Sequence, residues 1–365
     1  MTEPDSIRSA RNQLRKGIAD FQPPRCEPLA GSPWIAMSAM QKAIRRGRTE
    51  IALHAAATLL HSSPERLWRR LACTAAEDIG IADLQTVSLV TAAMAGKKAR
   101  AGWGGEWKTA AYLISKMSIA SKCRAADDLL LAAENHPSLE DERLQFAFHN
   151  THELTRTVIG DDPLPSRAIA AWYLLGTDRR SSPHLSHGQG SPPALFQALR
   201  DIIPSEVVEI AQEGVKRSSE VLPVFMAMLW PLRQQHSAIT EDDELPPEVM
   251  VGNVPGWSFD IYSRPGRMLL ANFIEGSTDS ARWIRAHIPP RQRVTFLGNI
   301  VFRSEGGCVK SRLRWKTGDE LKRMVDIECN GPHCRDAFEI LELMRADIPE
   351  LNRVRAELIG DINHV

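Results

Sequence analysis

The sequence predicts an all-α protein, a multi-helix bundle. Two observations carry that expectation. From Ser38 onward apolar residues recur at i, i+3 and i+4 through almost every segment. The breaks between segments hold helix-start and helix-stop residues, with no repeat at a fixed period.

The elements follow in order. Residues 1–33 carry Pro23, Pro24, Pro28 and Pro33, with Gly31 between, and read as an extended or partly disordered arm. A helical domain is expected over 34–176. "SAMQKAIRRGR" starts on Ser38 as N-cap and stops near Gly47. "TEIALHAAATLLH" places Ile51, Leu53, Ala56 and Leu60 at helical spacing. Ser63 offers a cap oxygen, and Pro64 fits the first helical position. Leu67, Trp68, Leu71, Ala72, Ala75, Ala76 and Ile79 then form one broad apolar face, ended by Gly80. Asp83 caps "LQTVSLVTAAMAG". Four further helices precede a Ser/Gly/Pro/His-rich loop at 177–193.

Helices resume over 194–236. Residues 237–256 are acidic, then punctuated by Pro and Gly, and read as a linker. A basic helical subdomain over 257–365 completes the chain. "VTFLGNIVF" has the β-branched and aromatic content of a strand. The stripe of Val294, Leu297, Ile300 and Val301 favours a helix.

Formal net charge is zero at pH 7, so any case for nucleic acid rests on local clustering. The polar N-terminus lacks the apolar core of a signal peptide, and no apolar run approaches the roughly 20 residues that span a bilayer. Cys26, Cys73, Cys123, Cys308, Cys329 and Cys334 are scattered, unlike a secreted disulfide framework. A cytoplasmic protein with reduced thiols and no membrane contact is the expectation.

Recognised catalytic patterns fail on inspection. "GWGGEWKT" has Trp107, not glycine, before Lys108, and an indole there fills a phosphate nest; it reads as a glycine hinge before a helix. Cys329, His333 and Cys334, with Cys308 upstream, have irregular spacing for zinc and read as a turn. His184 and His187 sit in the Ser/Gly/Pro loop without a partner acid. His149, His152 and Glu153 lack the H-E-x-x-H order and read as a helix surface. No catalytic residue, metal or cofactor is expected.

Basic clusters stand out. Lys42, Arg45, Arg46 and Arg48 form one, and Lys97, Lys98 and Arg100 another. Region 282–323 holds Arg282, Arg285, Arg291, Arg293, Arg303, Lys310, Arg312, Arg314, Lys316, Lys322 and Arg323, with Trp283 and Trp315 interleaved. Clustered cations neutralise phosphates and aromatic rings stack on bases. Arg45, Arg46, Arg48, Arg282, Arg285, Arg291, Arg293, Arg312, Arg314 and Lys316 are therefore the candidate nucleic-acid contacts. The competing reading pairs these cations with the acids of 241–248 and 336–350.

The segment from Ser38 to about Gln85 carries a resemblance. Ser38, Gln41, Lys42 and Arg45, then Ala52 and Leu53, then "RRLACTAAEDIG" at Arg69 to Gly80, resemble the C-terminal oligomerisation (collar) region of the RarA/MgsA family. Those are clamp-loader-related AAA+ ATPases acting at stalled replication forks. The family's ATPase core would lie upstream, where this chain has the proline-rich arm, so ATP hydrolysis is not implied. The resemblance implies helical packing and self-assembly. "FDIYSRPGRMLLANFI" resembles a stretch in bacterial proteins with the same E-D-I-G segment.

Trp68, Arg69, Arg70, Glu77 and Asp78 are accordingly expected at inter-helix or intersubunit contacts, since arginine forks suit carboxylates. Acids at a helix C-terminus oppose its dipole and therefore point to a tertiary partner. The expected function is a non-catalytic, oligomerising accessory in DNA replication, repair or mobile-element maintenance. Its partners would be copies of itself, DNA and a replication or repair protein. The alternatives are a metal-dependent or nuclease-like enzyme using the C-terminal Cys/His/acidic region, and an adaptor without DNA contact.

Overall fold

The computed structural model describes residues 3–235, 237–329 and 336–362, with side chains to residue 357 in the last segment. The chain is mostly helical. Its elements begin with α1 (Asp5–Ala19), α2 (Pro33–Arg45), α3 (Thr49–Ser62) and α4 (Pro64–Thr74). A π-helical turn, π1 (Ala75–Ile79), and a 3₁₀ turn follow α4. Then come α5 (Leu84–Ala93), α6 (Lys97–Ala101), α7 (Glu106–Ile119), α8 (Ala125–Asn135), α9 (Glu140–Phe146), α10 (Thr151–Ile159) and α11 (Leu164–Leu175). Past a loop lie α12 (Pro192–Ile202), α13 (Ser205–Ser218) and α14 (Leu222–Gln234).

The last third holds β1 (Ile239–Glu241), β2 (Met250–Val251), β3 (Val254–Pro255), α15 (Arg264–Glu275), α16 (Asp279–His287) and α17 (Arg293–Val301). A second π turn, π2 (Phe302–Gly306), leads to β4 (Arg312–Arg314), α18 (Lys316–Ile327) and α19 (Ala337–Ile362). The strands depart from the all-α expectation in a small way. β1 pairs antiparallel with β4, and β2 with β3.

The N-terminal arm is corrected. Residues 5–19 contain no proline, lying between Pro4 and Pro23. They form α1, which buries Ile7, Ala10, Leu14 and Ile18 against α5, α7 and α13. The first cap also shifts. Ser32 caps α2 by accepting from the Ile35 N–H, with Pro33 at the first position, while the Ser38 hydroxyl donates to Asp260 at 2.6 Å. Pro64 opens α4 as expected, although the Ser63 side chain makes no cap hydrogen bond. Asp83 caps α5 through the Thr86 N–H at 3.0 Å. The ambiguous "VTFLGNIVF" is helical as α17, with Leu297 and Ile300 buried.

The core is continuous from Ile7 to Val354, so the N-terminal helices and the 257–357 region share one interior. Helix α8 lies at its centre, packed by α11, α14 and α18. α11 is buried almost all round, as a helix apolar on every face must be. Loop 177–193 is pinned by Thr177 Oγ1 to Ser186 O at 2.6 Å and by Trp172 Nε1 to Arg180 O at 2.6 Å. No helix among the described residues is long and apolar enough to cross a membrane.

Gly80 explains how the E-D-I-G run ends. Its φ is +51°, a conformation that disfavours a side chain. An added Cβ would sit 2.7 Å from the Cys123 carbonyl oxygen. The Cys123 N–H donates to Asp78 O at 2.9 Å, so π1 is clasped directly to the start of α8.

Candidate functional site

The two π turns face one cleft of about 570 Å³. Its walls come from α2, π1, α8, residues 257–262 and π2. π-Helical turns interrupt the regular ladder and often mark functional positions. Arg45 joins them: its Nη2 donates to Glu77 in π1 at 2.5 Å, and its Nη1 to the Gly306 carbonyl of π2 at 2.9 Å.

Below the cleft the charges interlock. Arg45 Nε donates to Asp78 at 2.7 Å, and Gln41 Nε2 to the same carboxylate at 3.3 Å. Arg124 reaches Glu77, Asp78 and Asp127. Three carboxylates thus share two guanidiniums, and the Asp78 side chain is 0% exposed. The expected partners of Glu77 and Asp78 are therefore found within the chain, between helices. Cation–π contacts add to this: Arg45 and Arg124 lie 5.3 and 5.4 Å from the Phe302 ring centroid.

This crowding sets the protonation states. Burial works to raise Glu77, but Arg45, Arg124 and Arg70 prevail and hold it at about 2. With more carboxylates than guanidiniums, one must be discouraged from ionising. Burial raises Asp127 to about 7, against Arg124 and helped by Glu77 and Asp128. Burial likewise raises Asp128 to about 6. Burial lowers the Lys42 ammonium, while its ion pair with Asp260 at 2.9 Å opposes the shift.

The cleft lining carries Lys42, Arg45, Arg70, Arg303 and Arg355 against Glu77, Asp127, Asp260 and Glu305. At its inner side Arg355 grips Glu305 through both terminal nitrogens, at 3.0 and 2.6 Å. Both side chains are almost fully buried. The Arg355 Nε is buried without a hydrogen-bond partner. Trp34 and Tyr262 also line the cleft, yet are 48% and 70% exposed, and so mark its open side. Arg66 stacks over Trp34 at 4.9 Å. Arg66, Arg69 and Arg70 lie on one face of α4 by their i, i+3, i+4 spacing, with Arg66 and Arg69 exposed. Arg70 holds the Gln41 amide at 3.2 Å rather than a carboxylate.

The basic residues expected to face nucleic acid do not form one groove. Arg45, Arg46 and Arg312 are buried, which removes them as surface contacts. Arg46 donates to Glu305 O at 2.9 Å and lies over Trp257. Arg48 pairs with Glu248 at 2.5 Å, Arg312 with Asp243 at 2.6 Å and Arg314 with Glu241 at 2.5 Å. The competing reading, pairing with the acids of 241–248, holds for these three. Arg285 donates to Ile274 O and Gly276 O, and Arg293 to Ile288 O and Arg285 O, so both satisfy helix-end carbonyls. Arg282 pairs with Asp279 on the surface. Arg291 and Lys316 are exposed.

Trp68, the glycine hinge and Glu153 are engaged in structural contacts. Trp68 Nε1 donates to Glu106 at 2.6 Å, with Arg100 stacked over its ring at 3.9 Å. Gly104 and Gly105 have φ of +102° and +99°, a hinge before α7, and Lys108 donates to Ala19 O. Glu153 completes a capping box with Asn150. Among the described residues no three His, Cys, Asp or Glu side chains are grouped to hold a metal. His333 and Cys334 lie outside the described residues, and burial raises the Cys329 thiol to about 11.

Sequence reasoning missed Trp34, Tyr262, Arg66 and Asp127. The spacing of Arg66, Arg69 and Arg70 was the available signal; Trp34 and Tyr262 carry none, because the tertiary fold brings both to the lining of one cleft. No protein-family profile, curated protein or solved structure matches this chain. The likeness to a clamp-loader collar therefore rests on the sequence pattern alone.

Proposed function

We propose that the protein is a non-catalytic, self-assembling accessory of DNA replication, repair or mobile-element maintenance. It contacts DNA through the open side of the cleft and the adjoining arginine face of α4. One observation supports this above the others: exposed Trp34 and Tyr262 border a cleft beside Arg66, Arg69 and Arg70. Aromatic rings next to guanidiniums are the elements that hold unpaired strands. The same cleft is lined by Ser38, Gln41, Lys42, Arg45, Arg70 and Glu77, which are among the residues that carry the family resemblance. Self-assembly enters from that resemblance.

The test is anisotropy of a labelled single-stranded oligonucleotide, with the mass of the free protein from light scattering. The expected affinity falls with salt, with a log–log slope of roughly −0.7 per phosphate contacted. Arg66→Glu with Arg69→Glu weakens binding and flattens the slope, while Arg282→Glu leaves both near wild type. A monomer without salt-sensitive DNA affinity overturns the reading.

A further inference from the structure

We propose that the cleft receives a single nucleoside monophosphate unit, its base against the aromatic lining and its phosphate toward Arg70. The proposal rests on the DNA reading for its source, an unpaired nucleotide of a strand; a free mononucleotide offers the same chemistry.

Size comes first. A cleft of about 570 Å³ lies within the roughly 300–1,000 Å³ of small-molecule sites, so it takes one unit and not a threaded strand. Charge comes second. The lining holds five cations against Glu77, Asp260 and Glu305, with Asp127 raised to about 7 and only partly charged at neutral pH, so positive charge is in modest excess. That balance suits a ligand of low charge with mixed donors and acceptors. A triphosphate would face Glu77, Asp260 and Glu305 in the same space.

Third is the polar edge. Asp127 lines the same space, and a carboxyl that holds its proton near neutrality both donates and accepts, as a base edge requires. Trp34 and Tyr262 supply stacking faces at the entrance.

Three ligands separate the outcomes: an oligonucleotide, the same oligonucleotide with one abasic site placed at successive positions, and free nucleoside monophosphates followed by tryptophan fluorescence. At one register the missing base is expected to weaken binding on the order of ten-fold, the scale of one base–aromatic stack. Tyr262→Ala and Trp34→Ala, both at exposed positions, erase that difference while the salt slope stays. If abasic and intact strands bind alike at every position, yet Arg66→Glu weakens both, the inference fails and the DNA reading stands. If strands do not bind but free monophosphates do, and Arg70→Gln weakens them, the inference stands with the free nucleotide as source and the DNA reading fails. Binding of neither overturns both.

Discussion

Replacing Asp78 with asparagine preserves the shape of the side chain and removes its charge. Asp78 accepts from Arg45 Nε at 2.7 Å, from Gln41 Nε2 at 3.3 Å and from Arg124. Its side chain is 0% exposed, and those of Arg45 and Arg124 are 3% and 4%. Water therefore cannot replace the lost charge. Removing one partner from a buried ionic network costs about 3–5 kcal/mol; here both guanidiniums lose their most buried acceptor and keep only Glu77 and Asp127. Unfolding entropy near 2.1 cal/mol/K per residue gives roughly 0.8 kcal/mol/K for 365 residues melting as one unit. The expected fall in Tm is thus about 4–6 °C, read by scanning calorimetry. The exposed pair of Arg282 and Asp279 provides the control, since surface pairs contribute only about 0–1 kcal/mol. Adding Arg124→Gln to Asp78→Asn should deepen the loss, because Arg124 also pairs with Glu77 and Asp127. An Asp78→Asn protein that melts within about 1 °C of wild type would refute the claim that π1 is held by charge.

Two further predictions follow from the same region. Gly80→Ala should destabilise by about 1–3 kcal/mol or more, since it adds backbone strain at φ +51° and a contact with the Cys123 carbonyl; denaturant midpoints measure it. The pH dependence has a defined sign. Asp127 is raised from 3.8 to about 7, so between these values the folded chain holds a proton that the unfolded chain releases. Stability from this group is full below about pH 4 and is lost as pH rises through 7. The Tm of Asp127→Asn relative to wild type should therefore be more favourable at pH 8 than at pH 5, and a gap independent of pH would contradict the assignment. Glu77 runs the other way: held at about 2, it contributes above its ordinary 4.5 and its contribution is lost as pH falls toward 2.

Local pattern was a good guide wherever local energetics decide. Asp83 as a cap, the run of α3, the helix at α17 and the glycine hinge before α7 could all be read from neighbours along the chain. It failed where a decision is made across the fold. The prolines after Ala19 concealed the apolar spacing of Ile7, Ala10, Leu14 and Ile18. Ser38 looks like a cap because its hydroxyl precedes an apolar helix, but that hydroxyl is engaged by Asp260, far along the chain. The basic bias of 282–323 was real as a count and misleading as a surface. Residues 241–248 return to neutralise Arg312 and Arg314, and Arg285 and Arg293 cap helix ends. For the site, the acids Glu77 and Asp78 signalled a tertiary partner through their unfavourable position in the helix dipole. The identity of that partner, Arg45 with Arg124, needed the close approach of α2, π1 and α8.

The location of nucleic-acid contact is the claim most directly open to measurement. Ultraviolet crosslinking of a single-stranded oligonucleotide to the full-length protein, with mass spectrometry of the adducts, reports which residues touch bases. Adducts are expected at Trp34 and Tyr262, lost on addition of excess unlabelled strand. Adducts confined to the 282–323 region, or scattered without competition, would contradict the claim.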